Sequence, residues 1–327
     1  MPPFGRTLAC CALLVAAGCS QGRAAAGALP PSDGERHTFP AGATASDLEE
    51  AIREALTTPG KGPDFTRFVV IADGSRFGSA FRVEAFHAVI GGGGLLPEGS
   101  LVLRRNWALA GAVIDGRNDP LETTAVSLVV EPAAARPYSQ AVARAATAFC
   151  TALAGRAPLH PDAILGMGEV PFARAHPGAE EEARLAGAAR LEVPVPRADR
   201  TLQVSRGDAR VEVAVETRST TAGTRTGMML RRSFDGEDRG MLFLYPHRKS
   251  CLFHASNCFV PIDVAYILDD GTIDQVFTMD PQAGVDAEGI RYYESRSFVR
   301  TVLEMPGGWF ARRGLGEGAR VDGLGPR

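Results

Sequence analysis

The sequence lacks an excess of charge of either sign. Its 35 basic and 38 acidic residues leave a net charge of −3 over 327 residues, so electrostatics give no reason to expect nucleic acid as a partner. It also lacks a compositional extreme. With 45% hydrophobic and 22% charged residues, 37 Gly and 22 Pro, a wholly disordered chain and a collagen-like one are both excluded. The length favours two domains over one. The amino-terminal apolar run is short: Leu8 to Ala17 is ten residues, about half of what a bilayer span needs. With Arg6 before it, the run reads as a secretory signal.

The run ends in Val15-Ala16-Ala17-Gly18-Cys19-Ser20, which resembles the lipobox of bacterial lipoproteins. Ala16 stands where the pattern has a branched aliphatic residue, so a plain signal peptide cut elsewhere is the competing reading. The resemblance implies a signal peptide over 1–18, lipidation at Cys19, and, from Ser20, delivery to the outer membrane facing the periplasm. Residues 19–44 then form a tether, Ala- and Gly-rich from Gln21 to Pro31.

Ser46 with Glu49, followed by Leu48, Ile52 and Leu56 four apart, predicts a helix with a capping box. Strand-like runs follow at Arg67–Ala72, Phe86–Ile90, Ser100–Arg105 and Ala125–Val130. Tyr138–Leu153 has helical periodicity, and Ile164-Leu165 opens a further short strand. Strands interleaved with helices predict an α/β domain, a mixed sheet with flanking helices, over 45–180.

This stretch resembles the zinc-dependent N-acetylmuramoyl-L-alanine amidases, which share a fold with peptidoglycan recognition proteins. The ordered landmarks are Val69–Gly74, Phe86-His87-Ala88-Val89-Ile90, Trp107, Gly111-Ala112-Val113, Asn118, Val126–Glu131, Tyr138-Ser139-Gln140, Ile164–Val170 and His176-Pro177-Gly178. The resemblance implies ligand or cleft positions at Ala72 or Asp73, Val113, Met167 and His176. It also implies binding candidates at Trp107, Asn118 and Glu169. A catalytic zinc needs three protein ligands. Ala supplies no donor and a thioether suits softer metals, so Asp73 and His176 are too few. His87, beside Phe86 and Val89, reads as a structural histidine.

Residues 181–206 read as a linker, helical in character over Glu180–Ala189 and then marked by Pro194, Pro196 and charges at Arg197–Arg200. A strand-rich texture follows, with runs at Arg210–Glu216, Gly240–Tyr245, Val260–Leu268 and Phe298–Glu304. Asp269-Asp270-Gly271 makes a turn into Thr272–Phe277, and Gly307–Gly314 holds a short helix. These predict a small β-rich, barrel-like domain over 207–322, with 323–327 as a tail.

This half resembles the family called domain of unknown function 192. The residues that carry the resemblance are Thr226–Arg231, Asp238–Phe243, Asn257–Val264, Asp269–Ile273 and Val302–Trp309. Arg231, Asn257 and Asp263 are polar residues inside apolar motifs, and buried polar groups must be paired. One reading is an Arg231–Asp263 link across the sheet. The other is a small polar pocket for a sugar or carboxylate.

Of six cysteines, Cys10, Cys11 and Cys19 fall in the amino-terminal signal, and Cys150 reads as a buried apolar residue. Cys251 and Cys258 close a short loop, a candidate disulfide in an oxidising compartment. The run His247, Cys251, His254, Cys258 also has the composition of a metal site.

The expected protein is therefore a cell-envelope lipoprotein, anchored to a membrane by its lipid. Its amidase-like domain is expected to bind peptidoglycan without cutting it, as a pseudoenzyme with no cofactor and no nucleic-acid partner. One alternative is an active zinc amidase in peptidoglycan turnover with substituted ligands. The other is a carbohydrate or protein interaction module through the second domain.

Overall fold

The computed structural model describes residues 35–57, 67–107, 124–132, 134–171, 173–285 and 287–325. Cys19, Val113 and Asn118 lie outside the described residues. Among those described, no helix is long and apolar enough to cross a membrane.

The first half is an α/β layer structure. In chain order it holds β1 (Arg36–Phe39), α1 (Ala45–Ala55), β2 (Phe68–Asp73), β3 (Ala88–Ile90), β4 (Leu101–Arg104), β5 (Ala125–Val130), α2 (Gln140–Ala154), β6 (Ile164–Gly166) and α3 (Ala179–Glu192). The strands form one sheet in the order β1-β4-β3-β5-β2-β6. β2 runs parallel to β5 and β6, and β3 parallel to β5. β4 is antiparallel to β3 and β1. All six residues of β2 and of β5 are buried, as the near-continuous apolar runs of a sheet covered on both faces require. Helices α1, α2 and α3 contribute to the larger core. A smaller cluster of Phe81, Phe86, Val89, Leu96, Val102 and Val129 forms a second one.

Three expectations are corrected here. Residues 36–39 do not belong to a tether: they pair with β4 as an edge strand. Residues 181–192 are no linker either, because Leu185, Ala186 and Ala189 on α3 are buried in the first core. The cap of α1 is Thr44, which closes a capping box with Asp47 rather than one between Ser46 and Glu49. For β1 and α3 a tertiary partner decided the outcome, whereas the α1 cap is a local contact between residues three apart.

The second half holds β7 (Arg200–Arg206), β8 (Ala209–Arg218), α4 (Thr221–Thr226), β9 (Arg239–Lys249), β10 (Leu252–Phe253), β11 (Ile262–Ile267), β12 (Ile273–Met279), β13 (Tyr293–Glu294), β14 (Val299–Pro306), α5 (Trp309–Arg312) and β15 (Arg320–Asp322). β7 lies within the segment that the sequence reads as a linker, which is a further correction. Seven strands form a sheet in the order β12-β11-β14-β9-β8-β7-β15. β8 and β9 are parallel and joined through α4, while the remaining pairs are antiparallel. The two ends of this order approach each other. Thr272, before β12, bridges Arg320 at the start of β15, and Val321 donates to the Gly271 carbonyl at 2.8 Å. The sheet is thus curled into a half-barrel.

Period-two alternation divides the curled sheet into two faces. Leu242, Leu303, Met305, Trp309 and Val321 lie in one core. Met241, Phe243, Val264, Tyr266 and Val302 lie in the other, capped by the β10 and β13 segments. The halves are sealed by Met229 and Leu230, which follow α4 but are buried in the first half's core. Around them, Arg232 N–H donates to Asp162 at 2.7 Å and His160 Nε2 lies 3.0 Å from Asp235.

Candidate functional site

At the carboxyl end of β2, Asp73 is nearly saturated with donors. Oδ1 accepts from Ser75 N–H at 2.8 Å and the Ser75 hydroxyl at 2.6 Å. Oδ2 accepts from Arg136 Nε at 2.9 Å, from Arg136 Nη2 and from the Tyr138 hydroxyl at 2.6 Å. Burial opposes its charge, but these bonds prevail and hold the carboxyl below the usual range. Gly178 is glycine for a spatial reason: a Cβ there would lie 2.6 Å from Asp73 Oδ2. Glu182, on α3, is also buried here, accepting from Asp73 N–H at 2.8 Å and pairing with Arg76.

Asp73 and His176 do come together, both touching Ser75. Ser75 Oγ lies 3.4 Å from His176 Nε2. The order is wrong for nucleophilic catalysis, because the hydroxyl rather than the imidazole sits in the middle. His176 Nδ1 accepts from Gly178 N–H at 3.0 Å, which leaves the proton of the neutral ring on Nε2. Nε2 then donates and has no lone pair for a metal. Met167 is half-buried against the apolar cores, and Ala72 is fully buried in the smaller one. These residues do not fit zinc, and no group of three or more His, Cys, Asp or Glu among the described residues is placed to hold a metal.

Trp107, Glu169, Arg231 and Asp263 are each tied into structural contacts. Trp107 is fully buried, edge-on to His87 at 5.4 Å between ring centroids; His87 Nδ1 itself lies 2.7 Å from the Ser127 hydroxyl. Glu169 accepts from Gly166 N–H at 2.9 Å and pairs with Arg190 and Arg232. Arg231 and Asp263 do not meet, which corrects the expected link. Arg231 pairs with Glu216 at 2.8 Å and Asp235 at 3.2 Å. Asp263 accepts from Thr278 and from the backbone N–H groups of Gly308 and Phe310, which caps α5. The cause is the register, which places Asp263 opposite Thr278 and beside the β14–α5 turn. Asn257 is buried with φ +56°, and its carbonyl accepts from Leu230 N–H.

Cys251 and Cys258 are separate thiols, not a disulfide. The Cys251 sulfur faces the Val299 carbonyl at 3.7 Å and the Cys258 sulfur the Ser256 carbonyl at 3.6 Å. The short loop turns them toward different parts of one apolar core. His247 and His254 do not join them in a metal cluster.

A site that the sequence reading passed over lies on the face of the curled sheet opposite Leu303. A cavity of about 310 Å³ is walled by Met228, Phe243, Tyr245, Phe253 and Cys258, with Lys249, Leu252 and His254 also lining it. At its wall stands Glu304, on β14, 4% exposed. Register puts it between Val264 of β11 and Met241 of β9, both apolar. Its Oε2 has no hydrogen-bond partner among the described residues. Burial, only partly offset by Arg218, raises this carboxyl to about 8. Gly227, at φ +43°, keeps the opposite wall low: a Cβ would stand 3.2 Å from the Phe243 ring and 3.8 Å from Glu304 Oε2. Burial also pushes the Cys258 thiol well up and the His254 imidazole down. The available signal was the alternation Val302-Leu303-Glu304-Met305, which sets a carboxyl on a face shared with Val302.

Comparison with known proteins bears on this half. Residues 202–323 match the family domain of unknown function 192, described as Uncharacterized ACR. The match begins on β7 rather than at 207. No curated protein matches the chain. Among solved structures, it is similar to a protein of Sinorhizobium meliloti 1021 described as a "putative transcription regulator". That likeness has 26% identity over 41% of this chain and 99% of the other, with a TM-score of 0.37. It is also similar to a protein of unknown function from Novosphingobium aromaticivorans DSM 12444, at 24% identity over 37% of this chain and 83% of the other, TM-score 0.34.

Proposed function

We propose that this chain is a non-catalytic binding protein of the cell envelope that holds a small ligand beside Glu304. The observation that carries the reading is a buried carboxyl with an unpartnered oxygen at an aromatic-walled cavity. Such a group is costly unless something supplies a partner, and concave apolar sites with few polar groups are where ligands bind. Binding is favoured over covalent chemistry because the adjacent Cys258 is held as a thiol by its burial. The envelope setting rests on Ala17-Gly18-Cys19. The test is protein-observed NMR of the full chain against a set of fragment-sized probes. Responses are expected to gather at Met228, Phe243 and Phe253 and to vanish in Glu304→Leu. Responses spread over the surface, or unchanged in that variant, would overturn it.

One observation favours a second reading, in which the first half is an amidase-like domain that binds peptidoglycan without hydrolysing it. Ser75, Arg136 and His176 gather at the carboxyl end of β2, in a sheet whose central strands are parallel, the usual ligand edge of such sheets. The donor set argues against the active zinc amidase. Co-sedimentation with sacculi, weakened in Arg136→Ala, is the expected outcome; no binding by the full chain would sink it.

A further inference from the structure

We infer that the cavity beside Glu304 takes a ligand bearing an alkylammonium group, with Lys249 as its built-in competitor. This rests on the cavity being a binding site and adds the chemistry of its occupant.

Two independent features of the walls attract a cation. The first is Glu304, whose unpartnered Oε2 can accept a hydrogen bond from an ammonium N–H. The second is the set of rings. Phe243 and Phe253 meet edge-to-face at 5.0 Å, and Tyr245 lies beside them on the same cavity. Ring faces attract ammonium groups, most strongly where water is excluded. A neutral hydrogen-bonding ligand would satisfy Glu304 and pack on the rings, but would gain no charge attraction from their faces. An anionic one would meet Arg225 and Lys249 at the cavity but would be opposed by Glu304 once that carboxyl ionises, near pH 8.

The chain itself supplies the third observation. Lys249 Nζ sits 3.8 Å from the centroid of the Tyr245 ring, and both residues line the cavity. A primary ammonium is therefore already accommodated on one of these rings. Lys249 is exposed at the end of β9, so an incoming cation can displace it into water at little cost.

The charged and titratable groups around Glu304 come from several elements. Arg218 on β8 acts on it from a distance while paired with Glu216 at 2.8 Å. Tyr245 and Lys249 stand on β9, Tyr266 on β11 and Arg225 on α4, with Cys258 and His254 in the covering segment. The tyrosines and Cys258 are held neutral by burial, which also pushes His254 down and keeps its imidazole neutral near pH 8. Glu304 is then the group that changes charge near pH 8. An ammonium binds its carboxylate form, so binding near neutrality breaks the Glu304 O–H bond and releases one proton to buffer.

The test is an NMR titration of the full chain with butylammonium, 1-butanol and butyrate as separate probes. Butylammonium is expected to shift the resonances of Met228, Phe243 and Phe253, with affinity rising about a hundredfold between about pH 6 and about pH 9, the change in the ionised fraction of Glu304. Affinity is expected to be lost in Glu304→Gln, which keeps the shape of the protonated acid, and to tighten severalfold in Lys249→Met. Binding of 1-butanol or butyrate at this cavity in preference to butylammonium overturns the ammonium reading and leaves the binding site standing. Butylammonium binding that ignores pH and Glu304→Gln overturns it as well. No response at these residues to any probe defeats both readings.

Discussion

Glu304 and Asp73 are both buried carboxyls, and their surroundings drive them in opposite directions. Glu304 lies between Val264 and Met241 with one oxygen unpartnered, so burial raises it to about 8. The stability that this group contributes is then present in full below its ordinary value of about 4.5. It falls as the pH rises and is gone above about 8. Thermal unfolding at pH 5 and pH 9 should show a drop for the native chain that is several degrees smaller in Glu304→Gln. Asp73 behaves in reverse, because its donors favour the charged form. Its contribution is present above the unfolded value of about 3.9 and is lost as the pH falls through its lower folded value. Asp73→Ala strands Arg136 and Tyr138, and a loss of about 2–3 kcal/mol is expected in denaturant unfolding near neutral pH.

At the scale of elements, α3 and the segment after α4 do work that their positions in the chain do not announce. α3 presents Glu182 to the Asp73 backbone and Leu185 to the core. Its early charges and small residues read equally well as a solvated connector, because helical character alone does not say which face is covered. Leu230 is fully buried in a core built mainly by the first half, and it holds φ +63°. A leucine in that backbone region is strained, and burial against the other half offsets the strain. Leu230→Ala should cost about 2–5 kcal/mol. Hydrogen exchange should quicken in β6 and α3, on the far side of the connection. Unchanged exchange there would show that the two halves are not coupled through this residue. By contrast, β2, β5 and α2 were legible within two residues of their ends, because continuous apolar runs and a 3.6-residue period are local signals.

Across the whole molecule, the curled sheet places Cys251 and Cys258 on one face without joining them, and Cys150 deep in the other half, where burial pushes it up to about 12. Alkylation in denaturant without reductant should therefore label all three, as read by mass; a mass two units low with two sites blocked would show the disulfide instead. The sequence by itself determined that a layered α/β half precedes a strand-rich half, since periodicity and apolar runs depend only on neighbours along the chain. Only the tertiary structure decided that Asp263 caps a helix while Arg231 pairs with Glu216, and that Glu304 stands alone beside a cavity. Those outcomes depend on strand register and on which face is covered, and residues far apart in the chain set both.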